Sequence, residues 1–413
     1  MIALVKSRFN TVSSHGHTGS HRNANQDARS HQQTILILSV SAGNGHVRAA
    51  QAIKAYADQC HNTSKVIHKD VMLSMPAAFR KIYTDWYLNL ASRFPEVWGW
   101  LYRKTDRDRS KNWLDFARRY VEHRCGRTLL TEIKQLAPDA IICTHFLPAE
   151  LLAAAKKRGE IDCDVWVQVT DFDLHHMWVH QGLNGYFVAN EELAYRLRCN
   201  GIPVDRIVVS GIPVMPGFRS APDRRVSAHR FGLDANRLTI LMMGGGAGVG
   251  DMESIAKQIL SLHQDCQLIV LAGKNQELYQ SLLAISASYP QRLFPMGFTQ
   301  EVDALMACSD LAITKPGGLS TSECLVMGLP MLLVNPIPGQ EERNASILLQ
   351  EGVAIRADDA DSLVYRLQQL LADKEKFAGM KASAQALAKP DAAKVVLNHV
   401  IQHLPHMTQP QVH

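Results

Sequence analysis

Long hydrophobic runs are missing from this sequence. Its 413 residues contain no stretch of about 18 apolar residues, the length that a helix needs to cross a bilayer. The first 33 residues are polar and rich in Ser, His, Asn and Gln, so they also lack the apolar core of a secretory signal. We therefore expect no membrane span, a disordered leader over residues 1–33, and only peripheral contact with any membrane.

Closely spaced cysteines are missing too. The eight cysteines are scattered, without a C-x-x-C pair or a short Cys/His spacing. A disulfide framework and a zinc site both depend on such clustering, so neither is expected. The pattern instead predicts reduced thiols in a cytosolic protein.

A large excess of one charge is missing, since 44 Lys and Arg residues stand against 39 Asp and Glu residues. The distribution is uneven, however, because residues 80–127 hold 12 basic but only 6 acidic residues, together with ten aromatic ones. Such a stretch suits either an interfacial segment or a helical hairpin with a solvated basic face, and composition alone favours the hairpin. It contains no recognised nucleic-acid module, so we expect no nucleic-acid partner.

Apolar strand patterns alternate with helical patterns along most of the chain, which is typical of parallel sheets covered by helices on both faces. In the first half, strands are predicted over residues 34–40, 66–70, 140–144, 165–170, 185–189 and 207–210. In the second half, they are predicted over residues 238–243, 268–272, 293–296, 311–314 and 331–334. The prediction is an α/β fold of two Rossmann-like domains whose parallel sheets face each other across a cleft.

A break in this pattern separates the two halves, where residues 211–217 are rich in Gly and Pro. We predict an N-terminal domain over residues 34–215, a C-terminal domain over residues 216–390, and a helix with a tail over residues 391–413. The helical pattern of residues 392–403 leaves open whether this segment packs back on the first domain.

Glycine turns follow the first strand of each half. Gly43 and Gly45 let the backbone approach a ligand closely, and His46 stands just before a helix predicted over residues 47–57. Arg48 occupies the position of the last glycine in the dinucleotide-binding fingerprint, so that fingerprint is not met. The turn alone suits a ligand and a simple strand-to-helix connection equally well.

The glycine turn of the second half is denser, because residues 244–250 read Gly-Gly-Gly-Ala-Gly-Val-Gly. Backbone amides of such a turn can hold a diphosphate without a basic side chain, which favours phosphate binding over a plain loop. The turn is not a P-loop, since the Lys-Ser/Thr ending is absent.

Two polar segments follow later strands of the second half. In residues 314–323, a Pro-Gly-Gly turn leads into a helix whose first turn is predicted to contain Glu323. This carboxylate can either bind ribose hydroxyls or stabilise the helix dipole. In the second segment, Gln340, Glu341 and Asn344 can exchange hydrogen bonds with a sugar, although a polar loop and helix start explains them slightly better.

Five short motifs follow one another along the chain. They are Ser-Ala-Gly-Asn-Gly-His at residues 41–46, Val-Thr-Asp-Phe-Asp-Leu-His-His-Met-Trp-Val-His at 169–180, Ser-Gly-Ile-Pro-Val at 210–214, Lys-Pro-Gly-Gly-Leu-Ser-Thr-Ser-Glu at 315–323 and Pro-Gly-Gln-Glu at 338–341. In this order they resemble the family of monogalactosyldiacylglycerol synthases and processive diacylglycerol glucosyltransferases, relatives of the peptidoglycan N-acetylglucosaminyl transferase. The resemblance covers about residues 34–390 and is specific through the combination of motifs.

The resemblance implies a two-domain GT-B architecture and an inverting transferase that moves glucose or galactose from a UDP-sugar to diacylglycerol or a related membrane lipid. It implies that glycine turns hold the UDP phosphates, Phe298 borders the uracil, Glu323 binds the ribose, and Gln340 and Glu341 meet the hexose. The donor residues are Gly244, Gly245, Gly246, Gly248, Phe298, Gly318, Leu319, Ser320, Thr321, Glu323, Gln340, Glu341 and Asn344. Asn44 departs from the glycine that the family often has in the first turn.

Inversion requires a base for the acceptor hydroxyl and stabilisation of the departing UDP. His46 is the preferred base, because its position at a helix N-terminus should lower its pKa and keep the imidazole neutral. Asp171 is the alternative base, or the group that orients the histidine. Helix termini can stabilise the leaving group, and no Asp-x-Asp motif lies beside the phosphate turns, so we expect no cofactor and no essential metal.

The resemblance also favours the interfacial interpretation of residues 80–127. Aromatic rings seat at headgroup depth while Lys and Arg attract anionic lipid, so we expect peripheral binding to the anionic inner face of the cell membrane. The residues expected on the acceptor or membrane side are Gly45, Trp98, Trp100, Arg103, Lys104, His175 and Trp178. The sequence neither distinguishes glucose from galactose nor predicts an oligomeric state.

Two other functions stay open on the sequence. A UDP-N-acetylglucosamine-dependent transferase would act on a lipid-linked or other glycan, since no motif decides whether an acetamido group is accommodated. A non-catalytic nucleotide-sugar sensor would keep the donor half without turnover.

Overall fold

A computed structural model describes residues 32–41, 43–60, 64–75, 97, 99, 100, 106, 126–244, 252–262 and 265–404. The leader predicted over residues 1–33 lies outside these ranges except for its last two residues. No helix in the described ranges combines the length and the apolar character of a membrane span.

The first sheet consists of six parallel strands in the spatial order β2-β1-β3-β4-β5-β6. Their bounds are β1 Thr34–Ser39, β2 Lys65–Asp70, β3 Ala140–Cys143, β4 Asp164–Gln168, β5 Gly185–Val188 and β6 Ile207–Val209. All residues of β1 are buried, as expected of a central strand with helices on both faces. In register, Ile35 of β1 lies between Val66 of β2 and Ala140 of β3.

The second sheet has the same plan, with six parallel strands in the order β12-β11-β10-β7-β8-β9. Their bounds are β7 Leu238–Met243, β8 Cys266–Gly273, β9 Leu293–Gly297, β10 Leu311–Thr314, β11 Met331–Val334 and β12 Ala354–Ala357. The sequence predicts eleven of these twelve described strands and misses β12. That edge strand is only four residues long and contains Arg356, so its extended form depends on pairing with β11.

Fourteen α-helices occur within the described ranges. Those before the second sheet are α1 Asn44–Gln59, α2 Gly126–Leu136, α3 Phe146–Lys157, α4 Glu191–Cys199, α5 Pro216–Arg219 and α6 Arg224–Arg230. Those that follow are α7 Met252–Ser261, α8 Gln276–Ser286, α9 Val302–Ala307, α10 Gly318–Val326, α11 Gln340–Gln350, α12 Ala360–Ala372, α13 Lys374–Leu387 and α14 Ala392–His403. Helix α1 begins three residues earlier than predicted. Gly43 adopts a positive φ of 105°, which ends the turn after β1 directly before Asn44.

Helix α14 returns to the first sheet. Its side chains Val396, Leu397 and Val400 are completely buried in one apolar cluster with Ile35 of β1. The chain therefore crosses twice between the two halves, and the described residues from Gln33 onward form one structural unit. The packing that the sequence leaves open is decided by this apolar face of α14.

Truncation of Val396 to alanine is expected to lower the free energy of unfolding by about 2 kcal/mol, because a fully buried side chain loses apolar contacts and leaves a cavity. The neighbouring Val395 is the matched control, since it is 36% exposed. Its replacement by alanine should change stability by less than about 0.5 kcal/mol. Urea unfolding compares the two variants. Equal losses in the free energy of unfolding would show that the buried face of α14 does not stabilise the first sheet.

Candidate active site

The candidate base lies where the carboxyl ends of β3 and β4 meet the start of α1. His46 Nδ1 is 3.0 Å from the carbonyl oxygen of Thr144 and 2.7 Å from Oγ1 of Thr170. A carbonyl oxygen only accepts hydrogen bonds, so Nδ1 carries the proton and Nε2 is the ring nitrogen that can accept one. The Thr144 hydroxyl in turn donates to the carbonyl oxygen of His46 at 2.9 Å. The two threonines thus hold the imidazole in the tautomer of a base.

The imidazole of His46 is neutral at pH 7. Burial lowers its pKa to about 4, and the hydrogen bond to Thr144 opposes this effect without cancelling it. The sequence also predicts a lowered pKa for His46 but attributes it to the helix start, whereas burial is the cause in the structure. The ring centroid of His145 lies 4.5 Å from that of His46, and burial holds the pKa of His145 well below its usual range. The site therefore contains two neutral imidazoles side by side.

Sequence reasoning misses three residues that build this site, namely Thr144, His145 and Thr170. The sequence contains a signal for these residues, because each lies at the end of a predicted strand or directly after it. In parallel sheets, ligands bind outside the carboxyl ends of the strands.

The alternative base, Asp171, is buried one residue after Thr170. Its Oδ2 accepts a hydrogen bond from Trp178 Nε1 at 3.3 Å, and its Oδ1 accepts one from the amide of Gln340. Burial raises the pKa of this carboxyl. The Trp178 ring lies beside that of His46, with centroids 6.2 Å apart. Within the described residues, Asp171 thus contacts the base through Trp178 and has no hydrogen bond to His46.

Asn344, predicted to bind the donor, joins the two halves of the molecule. It is completely buried. Its Oδ1 accepts a hydrogen bond from the backbone nitrogen of Phe172 at 2.9 Å, and its Nδ2 donates to the carbonyl oxygen of Pro316 at 3.1 Å. Both ends of the amide are therefore engaged between the segment after β4 and the turn after β10. A contact between Asn344 and the donor stays a prediction.

The starts of α1 and α10 lie against each other. A Cβ added to Gly45 would lie 3.8 Å from the Cβ of Leu319, and one added to Gly318 would overlap the carbonyl oxygen of Thr170. Gly318 and Leu319 are the first residues of α10, where backbone N–H groups without helical partners attract anions. The structure thus brings the predicted phosphate turn of the second half to the histidine turn of the first.

The next two predicted donor residues differ in exposure. Ser320 is half-buried, whereas Thr321 is completely buried. Among the described residues, the Thr321 hydroxyl has no hydrogen-bond partner. Ser320 therefore presents the more accessible hydroxyl at this helix start.

Replacement of Gly318 by alanine is expected to force the two halves apart, because the new methyl group overlaps the Thr170 carbonyl oxygen and lies 3.1 Å from its carbon. We expect a loss of about 1–3 kcal/mol in the free energy of unfolding, the usual cost of overpacking. Gly379→Ala in α13 is the matched control, since its added Cβ has no neighbour within 4 Å. Thermal melts compare the variants, and a Gly318→Ala protein as stable as wild type would contradict the close contact.

The sequence places Glu323 in the first turn of its helix, and this prediction is wrong. Helix α10 already begins at Gly318, so Glu323 is its sixth residue and lies in the second turn, where helix-dipole effects are weak. Burial raises the pKa of Glu323 to about 7, with Asp303 reinforcing the shift and Arg48 opposing it. A buried carboxyl with a raised pKa is typical of a functional group.

The predicted hexose residues, Gln340 and Glu341, are the first two residues of α11, directly after the positive-φ Gly339. The Gln340 amide donates to Asp171 in the first half. Glu341 Oε2 instead accepts a hydrogen bond from the backbone nitrogen of Ile337 at 2.7 Å, and burial raises its pKa. Gln340 thus contacts the first half, whereas Glu341 stabilises the turn that precedes its own helix.

Phe298, predicted to border the uracil, directly follows β9 and is 66% exposed. Lys274 Nζ lies 5.6 Å from its ring centroid. An exposed ring at the carboxyl end of a strand is available to stack on a base. Of the dense glycine turn, Gly244 is buried directly after β7, and the members outside the described residues are Gly245, Gly246 and Gly248.

The residues predicted on the acceptor side differ in accessibility. His175 and Trp178 are each 2% exposed, whereas Trp100 is 55% exposed. His175 Nδ1 accepts a hydrogen bond from the backbone nitrogen of Met177 at 3.1 Å and caps the short 3-10 turn His176–Trp178. Trp178 is therefore next to the candidate base but closed to solvent. The predicted residues outside the described ranges are Trp98, Arg103 and Lys104.

Disulfides and metal clusters are both missing from the described part of the chain. The seven cysteines in it are free thiols. No three of its His, Cys, Asp or Glu side chains are grouped to hold a metal ion. Whether the chemistry needs a metal stays a prediction.

Two six-stranded parallel sheets joined at facing helix starts define the GT-B class of two-domain α/β proteins. Solved structures share the fold. MurG of Acinetobacter baumannii has a TM-score of 0.58 at 16% sequence identity, covering 90% of this chain and 99% of its own. The S. aureus MnaA-UDP co-structure has a TM-score of 0.60 at 14% identity, covering 90% of this chain and 97% of its own.

Sequence comparison shows which proteins of this class the chain resembles. Residues 46–214 match the family described as Monogalactosyldiacylglycerol (MGDG) synthase, and residues 239–396 match the Glycosyltransferase family 28 C-terminal domain. A processive diacylglycerol beta-glucosyltransferase of Bacillus pumilus is 29% identical over 371 residues, covering 89% of this chain and 94% of its own. These matches confirm the resemblance that the motifs indicate: the first half is similar to MGDG synthases, the second half to the family 28 C-terminal domain, and most of the chain to processive diacylglycerol glucosyltransferases.

Proposed function

We propose that the chain is an inverting glycosyltransferase that moves glucose or galactose from a UDP-sugar to the free hydroxyl of diacylglycerol or a related membrane lipid, forming a glycolipid. The observation that carries the proposal is the position of His46, a neutral base at the contact between the two halves. The name of the Bacillus pumilus relative supports the acceptor and does not favour the alternative transfer of N-acetylglucosamine.

The proposed reaction forms a bond between the acceptor oxygen and the anomeric carbon as the bond from that carbon to UDP breaks. Attack opposite the leaving group inverts the anomeric configuration. His46 Nε2 accepts the hydroxyl proton, which becomes more acidic as its oxygen bonds to carbon, so a base with a pKa of about 4 suffices. The protonated imidazole then releases its proton to solvent.

In this proposal the negative charge that develops on UDP is stabilised by the start of α10, through N–H groups that have no helical partner. We therefore propose that neither a cofactor nor an essential metal is needed. The donor would contact Phe298 with its uracil, Glu323 with its ribose, and Gln340 and Glu341 with its hexose. Gln340 must exchange Asp171 for a hexose hydroxyl, so donor binding changes a contact between the two halves.

We further propose peripheral binding to the anionic inner face of the cell membrane. The basic, aromatic composition of residues 80–127 supports this placement. Within or shortly before this stretch, Leu73 is 72% exposed, Val97 52% and Trp100 55%. Large apolar side chains open to water are favourable where a lipid surface covers them.

The experiment that tests the proposed function measures transfer of radiolabelled sugar to diacylglycerol in anionic liposomes. UDP-glucose, UDP-galactose and UDP-N-acetylglucosamine are compared, with and without EDTA. We expect label in lipid from one of the two hexoses, unchanged by EDTA. Label from UDP-N-acetylglucosamine alone, or no label despite measurable UDP binding, would overturn the proposed reaction.

A further inference from the structure

One face of α11 docks onto the three consecutive residues that follow Thr170. Gln340 contacts Asp171, Arg343 contacts Asp173, and Asn344 contacts the backbone nitrogen of Phe172. Positions three and four residues apart lie on the same side of a helix, so one rigid surface makes all three contacts. The donor-side helix is thereby set in register with the segment that carries the alternative base.

Arg343 extends this docking to a third part of the chain. Its Nη1 lies 3.0 Å from Asp173 Oδ2, and its Nη2 lies 2.6 Å from Asp106 Oδ2. The Asp173 side chain is 8% exposed and the Asp106 side chain 20% exposed, so neither ion pair is fully screened by water. Asp106 comes from the basic, aromatic stretch of residues 80–127 on the proposed acceptor side.

Asp106 and Asp173 each have a further contact besides the one with Arg343. Asp106 Oδ1 accepts a hydrogen bond from the backbone nitrogen of His176 at 2.9 Å. Asp173 Oδ1 forms an ion pair with Arg196 of α4 at 3.0 Å. Arg343 therefore contacts two carboxylates that other residues hold in place. A shift of α11 would break at least one of these contacts or move its partner as well.

We infer that Arg343 is a positioning residue for transfer, which holds the start of α11 in register with Asp106 and Asp173 of the acceptor half. The inference rests on the proposed function, because the start of α11 carries the proposed hexose residues Gln340 and Glu341. A guanidinium offers two nitrogens in a fixed planar fork, one for each carboxylate. A lysine ammonium has no such fork and serves both carboxylates less well.

The test compares Arg343→Gln, Arg343→Lys and Asp106→Asn with wild type. We expect Arg343→Gln to lower kcat for transfer about tenfold or more, while the Kd for UDP changes less than about twofold. Arg343→Lys should restore part of the rate. Asp106→Asn should lower kcat in the same direction, and the double variant should be no slower than Arg343→Gln, because Arg343→Gln already breaks the contact with Asp106. Arg356→Gln is the matched control, since Arg356 pairs with the exposed Asp358 at 2.8 Å in the same half.

Hydrogen exchange supplies a readout that does not depend on turnover. Amides of residues 171–173 and of the start of α11 should exchange faster in Arg343→Gln and in Asp106→Asn than in Arg356→Gln. Unchanged exchange, or a loss of UDP affinity equal to the loss of kcat, would overturn the positioning role. Absence of transfer by wild type would instead overturn the proposed function, and the exchange data would still decide the role of Arg343.

Discussion

Replacement of His46 by alanine is expected to lower the rate of sugar transfer between about a hundredfold and ten-thousandfold, the usual contribution of a general base. UDP affinity should stay within about twofold, because the proposed donor residues belong to the second half. Radiolabel transfer and calorimetric titration with UDP measure the two quantities. His229→Ala is the matched control, since His229 is exposed on α6.

If His46 is the base, the rate of sugar transfer should fall at acidic pH. Imidazole accepts a proton only when neutral, and burial lowers the pKa of His46 to about 4. The step that depends on His46 should therefore keep its rate from about pH 5 upward and lose it as pH falls through 4. An acid limb near pH 6.5, the ordinary value for histidine, would show that the imidazole is solvated during catalysis. A His46→Ala protein that transfers sugar at the wild-type rate would assign the base to another residue.

Replacement of Glu323 by glutamine is expected to weaken UDP binding about tenfold or more, because hydrogen bonds to a charged group contribute about 1.5–3 kcal/mol. Burial raises the pKa of Glu323 to about 7, so the carboxylate proposed to accept ribose hydroxyls is lost as pH falls below 7. Wild-type affinity for UDP should fall with it, and more steeply than the affinity of Glu323→Gln, which lacks this titrating carboxyl. Titration with UDP at pH 6 and pH 8 measures both effects.

The same substitution is expected to raise stability at pH 8. The folded protein binds the Glu323 proton more tightly than the unfolded chain, so stability falls as pH rises from about 4.5 to 7 and stays lower above 7. Glutamine removes this loss, which amounts to at most about 3 kcal/mol. At pH 4 the two proteins should melt together, because the carboxyl is then protonated in both states. The exposed Glu351→Gln is the control, and a Glu323→Gln protein less stable than wild type at pH 8 would contradict the raised pKa of the buried carboxyl.

The elements that depend on local pattern are predictable from the sequence. Strand β1 is an apolar run because both its faces are covered, and the glycine turn after it forms because Gly43 adopts a positive φ. The sixth strand of the second sheet escapes prediction, since four residues around Arg356 carry no pattern of their own. Helix α10 begins earlier than the Pro-Gly-Gly signal indicates, which moves Glu323 into the second turn.

The contacts that build the site are not predictable in this way. His46 and Thr170 are 124 residues apart, and Arg343 and Asp106 are 237 residues apart. The sequence predicts Asn344 as a polar residue that binds the donor. It does not show that the amide of Asn344 bonds to Phe172 across the two halves. Such pairings follow from the way two sheets meet, which no local pattern encodes.

The double crossing of the chain restricts how the two halves can move. Gly211, with a φ of +85°, lies on the outgoing crossing, and a Cβ there would be 3.4 Å from the Cβ of Ala392 on the returning one. Two crossings side by side hold the two halves together at one edge and oppose their separation there. We therefore expect any opening between the two halves to be widest at the edge opposite these crossings.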